Sequence, residues 1–386
     1  MPVLSTEELR RYSRHTVIPQ ISSNGQQRLK GARVVCIGAG GLGSPILMYL
    51  AAAGVGTLGI VDFDTVNESN LQRQIIHGQS DIGRSKTESA KGQIGQINPF
   101  VEVVTHEVRL DRSNVLEIFK DYDLIIDGTD NFATRYLIND ACVLLKKPYI
   151  WGSVLGFDGQ ASVFFSEHGP CYRCLHPEPA ADTPNCAEAG VLGVLCASIA
   201  SIQATEAIKL ITGIGEPLIG SLMVYDALVM SYRSIKVSKD PACVICADNP
   251  TQLGLLEDYE AFCAPVTPSQ INVFELKAKM DNGDNFILVD VREPYEFEIV
   301  RIPGSVLMPL SQFVDGTAIA LLPRDKQIIM HCHSGVRSAT SLSIVKNAGF
   351  IDATHVEGGI QRHCCTIVDR FIIGMGMHQE NAITRI

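Results

Sequence analysis

The run Arg33-Val-Val-Cys-Ile37, followed at once by Gly38-Ala-Gly-Gly-Leu-Gly43, leaves this chain few folds to choose from. A short apolar run rich in β-branched residues reads as a buried strand. Glycines spaced G-x-G-x-x-G directly after it read as the turn into a helix. The helix is expected from Ser44 to about Ala53, and a second strand over Leu58-Gly-Ile-Val-Asp62 completes a βαβ unit. Gly38, Gly40 and Gly43 let the backbone approach an anion at the helix N-terminus. Asp62, ending the next strand, is placed to hold a ribose hydroxyl. Nucleotide binding is the expectation, and a tight turn without a ligand is its alternative.

The alternation continues. Strands are expected at 101–105 and 124–127, and helices at 86–97 and 113–120. Further β pattern follows at 149–153 and 160–165, then a long helical stretch at 187–212. One helical region over 5–30 precedes the first strand, opened by the capping pattern Ser5-Thr6-Glu7-Glu8. Alternating strands and helices imply a mostly parallel sheet covered on both faces. A second α/β unit is expected from a helix at 273–280, strands at 286–290 and 327–331, a loop at 332–337, a helix at 338–348 and a strand at 353–356. The fold class is therefore α/β: a Rossmann-like domain over 1–250, a linker over 251–269 and a smaller α/β domain over 270–386. The tail after about residue 361 lacks a clear pattern.

With 46% hydrophobic and 19% charged residues among 386, the chain can bury real cores. Its net charge of −10 argues against nucleic acid as a direct partner. The most apolar stretch, Ala189 to Ala204, is broken by Ser198, Ser201 and Gln203 and bounded by Glu188 and Glu206, so a buried helix is expected, not a membrane span. The N-terminus carries charges where a signal peptide needs an apolar core. The expected location is the cytoplasm.

A hydride-transfer enzyme is the default for such a βαβ unit, but the next charges point elsewhere. Ser69-Asn70-Leu71-Gln72-Arg73 is followed by Lys86. A triphosphate losing pyrophosphate needs cations on its leaving group, and Arg73 and Lys86 suit that. Asp127-Gly-Thr-Asp130-Asn131, at a strand's C-terminal end, offers a carboxylate to Mg²⁺. Each charge alone could be a solvated surface residue.

Twelve cysteines in a reducing compartment suggest metal ligands or reactive thiols. The pairs Cys171-Tyr-Arg-Cys174 and Cys243-Val-Ile-Cys246 suit a closed, structural Zn²⁺ site, with a redox dithiol as the rival. Cys36, Cys142 and Cys196 lie in apolar runs and read as inert core. Cys186 lies beside an expected helix start, which favours a thiolate. Cys332 opens a Cys-x4-Arg loop between a strand and a helix, where backbone N–H groups form an anion nest and Arg337 adds charge. Phosphatase loops of this kind are one residue longer, so the shorter loop favours a persulfide.

Taken together, GAGGLGS, DFDTVNESNLQRQ, GRSK, DGTDNFATRYLIND, the C-x-x-C pairs and NCAEAGVLGVL resemble the MoeB/ThiF branch of the ubiquitin-activating (E1-like) enzymes over about residues 5–246. Residues 270–360 resemble a rhodanese domain through DVREPYEF, RIPGS, HCHSGVRS and EGG. The whole is similar to fusions of the MoeZ type. The resemblance implies an enzyme that adenylates the C-terminal Gly-Gly of a ubiquitin-like sulfur carrier with ATP, then converts it to a thiocarboxylate. It implies ATP binding by Gly41, Asp62, Ser69 to Arg73, Lys86, Asp130 and Asn131. It implies a homodimer in which Arg14 reaches the neighbouring nucleotide, and an acyl-accepting or disulfide-forming Cys186. The implied sulfur donor is a cysteine desulfurase or thiosulfate. His333 replaces the basic residue common at the second loop position, which disfavours thiosulfate. After Gly359 the usual aromatic ending is absent, and His363, Cys364 and Cys365 stand there instead. An oxidoreductase fused to a rhodanese domain, a non-catalytic ATP-binding scaffold and an enzyme adenylating a tRNA base are the rival functions.

Overall fold

Strand β1 (Arg33–Ile37) lies inside an eight-stranded sheet whose order places it between β2 (Thr57–Val61) and β4 (Leu124–Asp127). The full order is β3-β2-β1-β4-β5-β6-β7-β8. The remaining strands are β3 (Glu102–His106), β5 (Tyr149–Leu155), β6 (Asp158–Phe164), β7 (Ser221–Asp226) and β8 (Ser231–Lys236). Strands β3 to β5 pair in parallel and β5 to β8 antiparallel. Every residue of β2 and β4 is buried, as apolar strands covered on both faces must be. The edge strand β8 is instead almost wholly exposed. The structure is a computed structural model that describes residues 2–179, 190–263 and 269–360. Its contacts divide the chain into Met1–Ala264 and Pro265–Ile386.

In the first unit the helices are α1 (Thr6–Arg11), α2 (Ser13–Thr16), α3 (Ser22–Gly31), α4 (Gly43–Ala53), α5 (Lys86–Ile97), α6 (Val115–Phe119), α7 (Phe132–Leu145), α8 (Tyr172–Leu175), α9 (Gly193–Thr212) and α10 (Tyr259–Cys263). One face of the sheet is covered from α4, α5 and α9 by Ile46, Leu50, Ile94, Ile199 and Ala207. The other is covered from α6, α7 and α8 by Phe119, Tyr136, Ile138 and Tyr172. The apolar stretch is α9, a core helix that buries Leu195, Ile199, Ala200 and Gln203. Its expected start at 187 lies outside the described residues. Val191 forms a β-bridge with Gly156, whose N–H donates to the Gly190 carbonyl and whose carbonyl accepts from Leu192 N.

The single helical region expected over 5–30 is three helices, and Pro19, which lacks the N–H that a continuous helix needs, falls in the gap between α2 and α3. The Ser5 capping box is present: Ser5 Oγ accepts from Glu8 N at 3.1 Å and Glu8 Oε2 accepts from Ser5 N at 2.7 Å. The expected start of the linker, at residue 251, is also corrected. Helix α10 packs on the first unit, with Tyr259 buried and the Phe262 ring edge-on to Tyr136 at 5.1 Å. Helix α7 and the β7–β8 hairpin were not expected from the sequence.

The second unit is a five-stranded parallel sheet, ordered β11-β10-β12-β13-β9. Its strands are β9 (Gln270–Ile271), β10 (Phe286–Asp290), β11 (Val306–Leu307), β12 (Gln327–His331) and β13 (Thr354–Val356). Helices α11 (Val273–Asn282), α12 (Pro294–Ile299), α13 (Leu310–Val314) and α14 (Val336–Asn347) complete it. Of these, β9, β11, α12 and α13 were not expected. Their two to six residues are too short to show a period.

Asp140, on α7, ties the first unit's C-terminal segment down. Its buried carboxylate accepts from Arg173 Nε and Nη2, Gln252 Nε2 and Tyr259 Oη, each at 2.8 Å. Replacing Asp140 with Ala leaves the buried Arg173 guanidinium unpaired. The expected cost is about 3–5 kcal/mol, read as a lowered urea midpoint in equilibrium unfolding.

Candidate functional site

The carboxyl ends of β1 and β4, where the strand order reverses, open onto a cavity of about 340 Å³. This crevice is where open α/β sheets bind ligands. Gly38 turns the chain out of β1 with φ of +91°, a conformation that favours glycine. A Cβ on Gly43 would sit 1.9 Å from the Gly38 carbonyl oxygen, so Gly43 serves the close packing of α4 on the loop. Asp62 holds the loop's shape: its Oδ2 accepts from Ala39 N at 2.8 Å and its Oδ1 from Asp64 N at 2.9 Å. From the other side, His77 Nε2 donates to the Ala39 carbonyl at 3.0 Å, and its Nδ1 then accepts from Ser89 Oγ at 2.8 Å. Burial pushes the His77 pKa down and keeps that neutral tautomer.

The cavity brings together Gly38, Gly40, Gly41, Asp62, Asn70, Arg73, Lys86, Asp130 and Asn131. Gly43, Ser69, Leu71 and Gln72 are not among its lining residues. The Ser69 carbonyl instead accepts from Arg73 Nη1 at 3.2 Å, and the Gln72 amide donates to the Val191 carbonyl at 3.2 Å. Lys86 is buried and pairs with Asp64 at 2.9 Å. Arg14 is exposed on α2 and does not line this chain's cavity. The two acids expected near a metal separate. Asp127 is fully buried and accepts from Tyr149 Oη and from Thr129 N and Oγ1. Desolvation raises its pKa in spite of those donors. Asp130 is exposed at the cavity wall and is the carboxylate left for a cation.

Sequence reasoning missed Asp64, Gln74, Arg109, Arg135 and His77. Gln74 is buried in the wall, and its amide oxygen has no partner among the described residues. Its place next to Arg73 was the available signal. Cys196 also lines the cavity, with its sulfur 3.0 Å from where a Cβ on Gly41 would stand. Cys36 and Cys142 are buried thiols whose pKa values desolvation raises, in keeping with an inert role. Cys186, Cys364 and Cys365 lie outside the described residues.

Four thiols converge where the two C-x-x-C pairs meet. All four sulfurs lie within 4.8 Å of one another, with Cys171–Cys174 at 3.9 Å, Cys171–Cys243 at 3.6 Å and Cys174–Cys246 at 3.4 Å. A Zn²⁺ at about 2.3 Å from four thiolates sets its sulfurs about 3.8 Å apart. The donor set and spacing therefore fit such an ion, and four protein ligands leave no open position. Asp240 N also donates to Cys174 Sγ at 3.4 Å, the kind of outer contact that orients a ligand.

In the second unit, Cys332 stands buried between β12 and α14. Its Sγ accepts from Gly335 N at 3.1 Å, and the Ser338 hydroxyl lies 3.6 Å away. Gly335 has φ of +103°, which points its N–H inward. The glycines of EGG close the loop from behind: a Cβ on Gly359 would lie 2.4 Å from the Cys332 carbonyl oxygen. Arg337 is not turned freely toward the sulfur. It forms a two-bond pair with Glu296, at 2.6 and 2.8 Å. That hydrogen bonding brings the Glu296 pKa down to about 2.

Residues 12–245 match the model of the ThiF family. The chain belongs to the ThiF family. Residues 273–363 match the rhodanese-like domain, so a ThiF/MoeB-type adenylation domain is joined to a C-terminal rhodanese-like domain. The chain is 55% identical over 371 residues to a probable adenylyltransferase/sulfurtransferase MoeZ of Mycobacterium tuberculosis, covering 92% of this chain and 93% of that one. It is 51% identical over 264 residues to a sulfur carrier protein adenylyltransferase of Thermus thermophilus, covering 67% of this chain and 97% of that one. The crystal structure of Escherichia coli MccB with MccA-N7isoASN shares the fold, with a TM-score of 0.57 and 22% identity over 62% of this chain and 75% of that one.

Removing one thiol of the cluster, by Cys174→Ser, is expected to lower bound metal and melting temperature together, because metal binding is coupled to folding. Elemental analysis beside a thermal melt checks this. A pH dependence also follows for the rhodanese-like domain. The Glu296 pKa lies below its ordinary 4.5, so its contribution to stability is complete above that pH and is lost as pH falls toward 2. Acid unfolding followed by circular dichroism should be less steep over that interval in Glu296→Gln.

Proposed function

We propose that this chain is an ATP-dependent adenylyltransferase and sulfurtransferase acting on a ubiquitin-like sulfur carrier that ends in Gly-Gly. One observation supports this best. Arg73 and Lys86 line the same cavity as the glycine loop, Asp62 and Asp130. In this reading Gly38, Gly40 and Gly41 cradle phosphate, Asp62 holds the ribose, and the Ser69–Arg73 segment and Asn131 complete the ATP site. Mg²⁺, held by Asp130, would supply further positive charge to the phosphates when bound. The Cys171, Cys174, Cys243 and Cys246 thiolates hold a structural Zn²⁺. The working unit is a homodimer in the cytoplasm, with the exposed Arg14 serving the neighbouring nucleotide.

The carrier's C-terminal carboxylate oxygen attacks the α-phosphorus of ATP. The new C–O–P link forms as the α–β bridge breaks, and pyrophosphate leaves with the electron pair. Arg73 and Lys86 offset the charge that builds on the leaving group. The outer sulfur of a Cys332 persulfide then attacks the acyl carbon and displaces AMP, leaving an acyl disulfide. A second thiol attacks the Cys332 sulfur, so the thiocarboxylate leaves and Cys332 ends in a disulfide with that thiol. Cys186 is the candidate for the second thiol within the chain.

Arg73→Ala and Lys86→Ala are each expected to cut carrier-dependent ATP–pyrophosphate exchange by about 10²–10³. Near-normal exchange in both, or tight nicotinamide binding in its place, would sink the assignment. Cys332→Ala should keep the exchange and lose thiocarboxylate formation, followed by the mass of the carrier. Free sulfide should partly restore the product by attacking the acyl-adenylate directly.

A further inference from the structure

The Cys332 loop resembles an anion trap, yet its arginine is already spoken for. Arg337 lies close enough to Cys332 for a thiolate there to raise the arginine's pKa, but its strongest partner is Glu296. Both oxygens of Glu296 are engaged, Oε2 at 2.6 Å and Oε1 at 2.8 Å. Oε2 also accepts from Glu293 N at 3.0 Å, the capping box of α12. Glu296 is thus held in place from two sides and cannot swing away at little cost. Arg292 offers no substitute cation. It is buried, and its Nη2 donates to Asp290 Oδ2 and to the Val300 carbonyl, both at 2.6 Å. Val336, the chain neighbour of Arg337, is 71% exposed, and Tyr295 and Ile299, on the helix that carries Glu296, are 64% and 74% exposed, beside the exposed polar side chains His333, Ser334 and Glu298.

We propose that Glu296 selects the sulfur donor at Cys332: with Arg337 neutralised, the loop takes sulfur from a persulfide carried on a protein cysteine and discriminates against thiosulfate. The inference rests on the sulfurtransferase role given to Cys332 above. Thiosulfate is a dianion that expels sulfite, and it gains from a free guanidinium both on binding and as charge moves to the leaving group. A protein persulfide carries at most a single charge at its end and expels a thiolate, so it gains less from a free guanidinium. In the transfer, the Cys332 thiolate attacks the outer sulfur of R–S–S⁻H⁺. The S–S bond of the donor breaks, R–S⁻ leaves with the electron pair and takes up a proton from solvent, and Cys332 becomes the persulfide. No external oxidant or reductant is consumed. The low pKa of Glu296 keeps the clamp charged across the physiological range.

The test uses the full-length protein and two donors, thiosulfate and the hydropersulfide of N-acetylcysteine amide, which has no charge apart from its persulfide. Initial rates with cyanide as the sulfur acceptor give kcat and KM for each. For the unmodified protein, kcat/KM for the hydropersulfide should exceed that for thiosulfate by about 10-fold or more, and the thiosulfate value should stay nearly flat as ionic strength rises. In Glu296→Gln, kcat/KM for thiosulfate should rise about 10-fold through KM and regain a fall with salt, while the hydropersulfide value stays within about 3-fold. Equal use of the two donors by the unmodified protein overturns the proposal, as does a steep fall of its thiosulfate rate with salt. Equal losses for both donors in Glu296→Gln would make Glu296 merely structural and overturn it as well. Intact-mass measurement separates this from the parent reading. If Cys332 gains one sulfur from thiosulfate in preference to the hydropersulfide, donor choice fails and the sulfurtransferase role stands. If Cys332 gains sulfur from neither, both fall.

Discussion

Asp140 is a carboxylate with no access to water, and it joins three stretches of chain that are far apart in sequence. Its donors come from Arg173 inside the first C-x-x-C pair, from Gln252 and from Tyr259. Such a charge is tolerable only when every lone pair is used. Here Arg173 supplies two bonds, its planar fork lies 4.8 Å from the ring centres of both Tyr136 and Phe262, and Tyr172 N binds the neighbouring Asn139. The same helix begins at Asn131, whose side chain caps it through Thr134 N at 2.8 Å. One helix therefore has the candidate cavity at its start and, midway along it, the carboxylate that holds the arginine between the cluster's first two thiols.

The rhodanese-like domain solves a similar problem on a smaller scale. Asp290 and Arg292 are both buried at the end of β10, and the guanidinium spans the carboxylate through Nε and Nη2. This pair sets the chain's exit from the strand and the start of α12, which then brings Glu296 to Arg337. The loop's electrostatics are in this way decided by a helix of six residues outside the loop.

How legible was this in the sequence? The strands β1, β4, β10 and β12 and helix α5 were legible to the residue, because each is an apolar or periodic run bounded by glycine, proline or a polar turn. The thiol cluster was legible from spacing alone. Helix α7 was not, since its inward face carries Arg135, Asn139 and Asp140, and a polar residue buried by its partners breaks the apolar period on which a helix is recognised. Residues 251–263 read as a linker for the same reason: what ties them down is Tyr259 and Gln252 meeting a carboxylate more than a hundred positions earlier. The candidate cavity was half legible. Glycines and cations stood in a recognisable string, whereas His77 and Gln74 matter through where folding brings them. The Arg337–Glu296 clamp spans 41 positions and follows no spacing rule.

The strand order has a consequence for how the protein is made. Strand β1 lies between β2 and β4, and Arg33 N reaches across 90 positions to the Asp123 carboxylate. A ribosome adding about 5–20 residues per second delivers that partner roughly 5–20 s after β1 has emerged. During that wait one side of β1 has its backbone groups open and its apolar residues uncovered. The seam that becomes the candidate cavity cannot close until β4 arrives, so a ligand of that cavity can offer the nascent chain no help while β1 is most exposed.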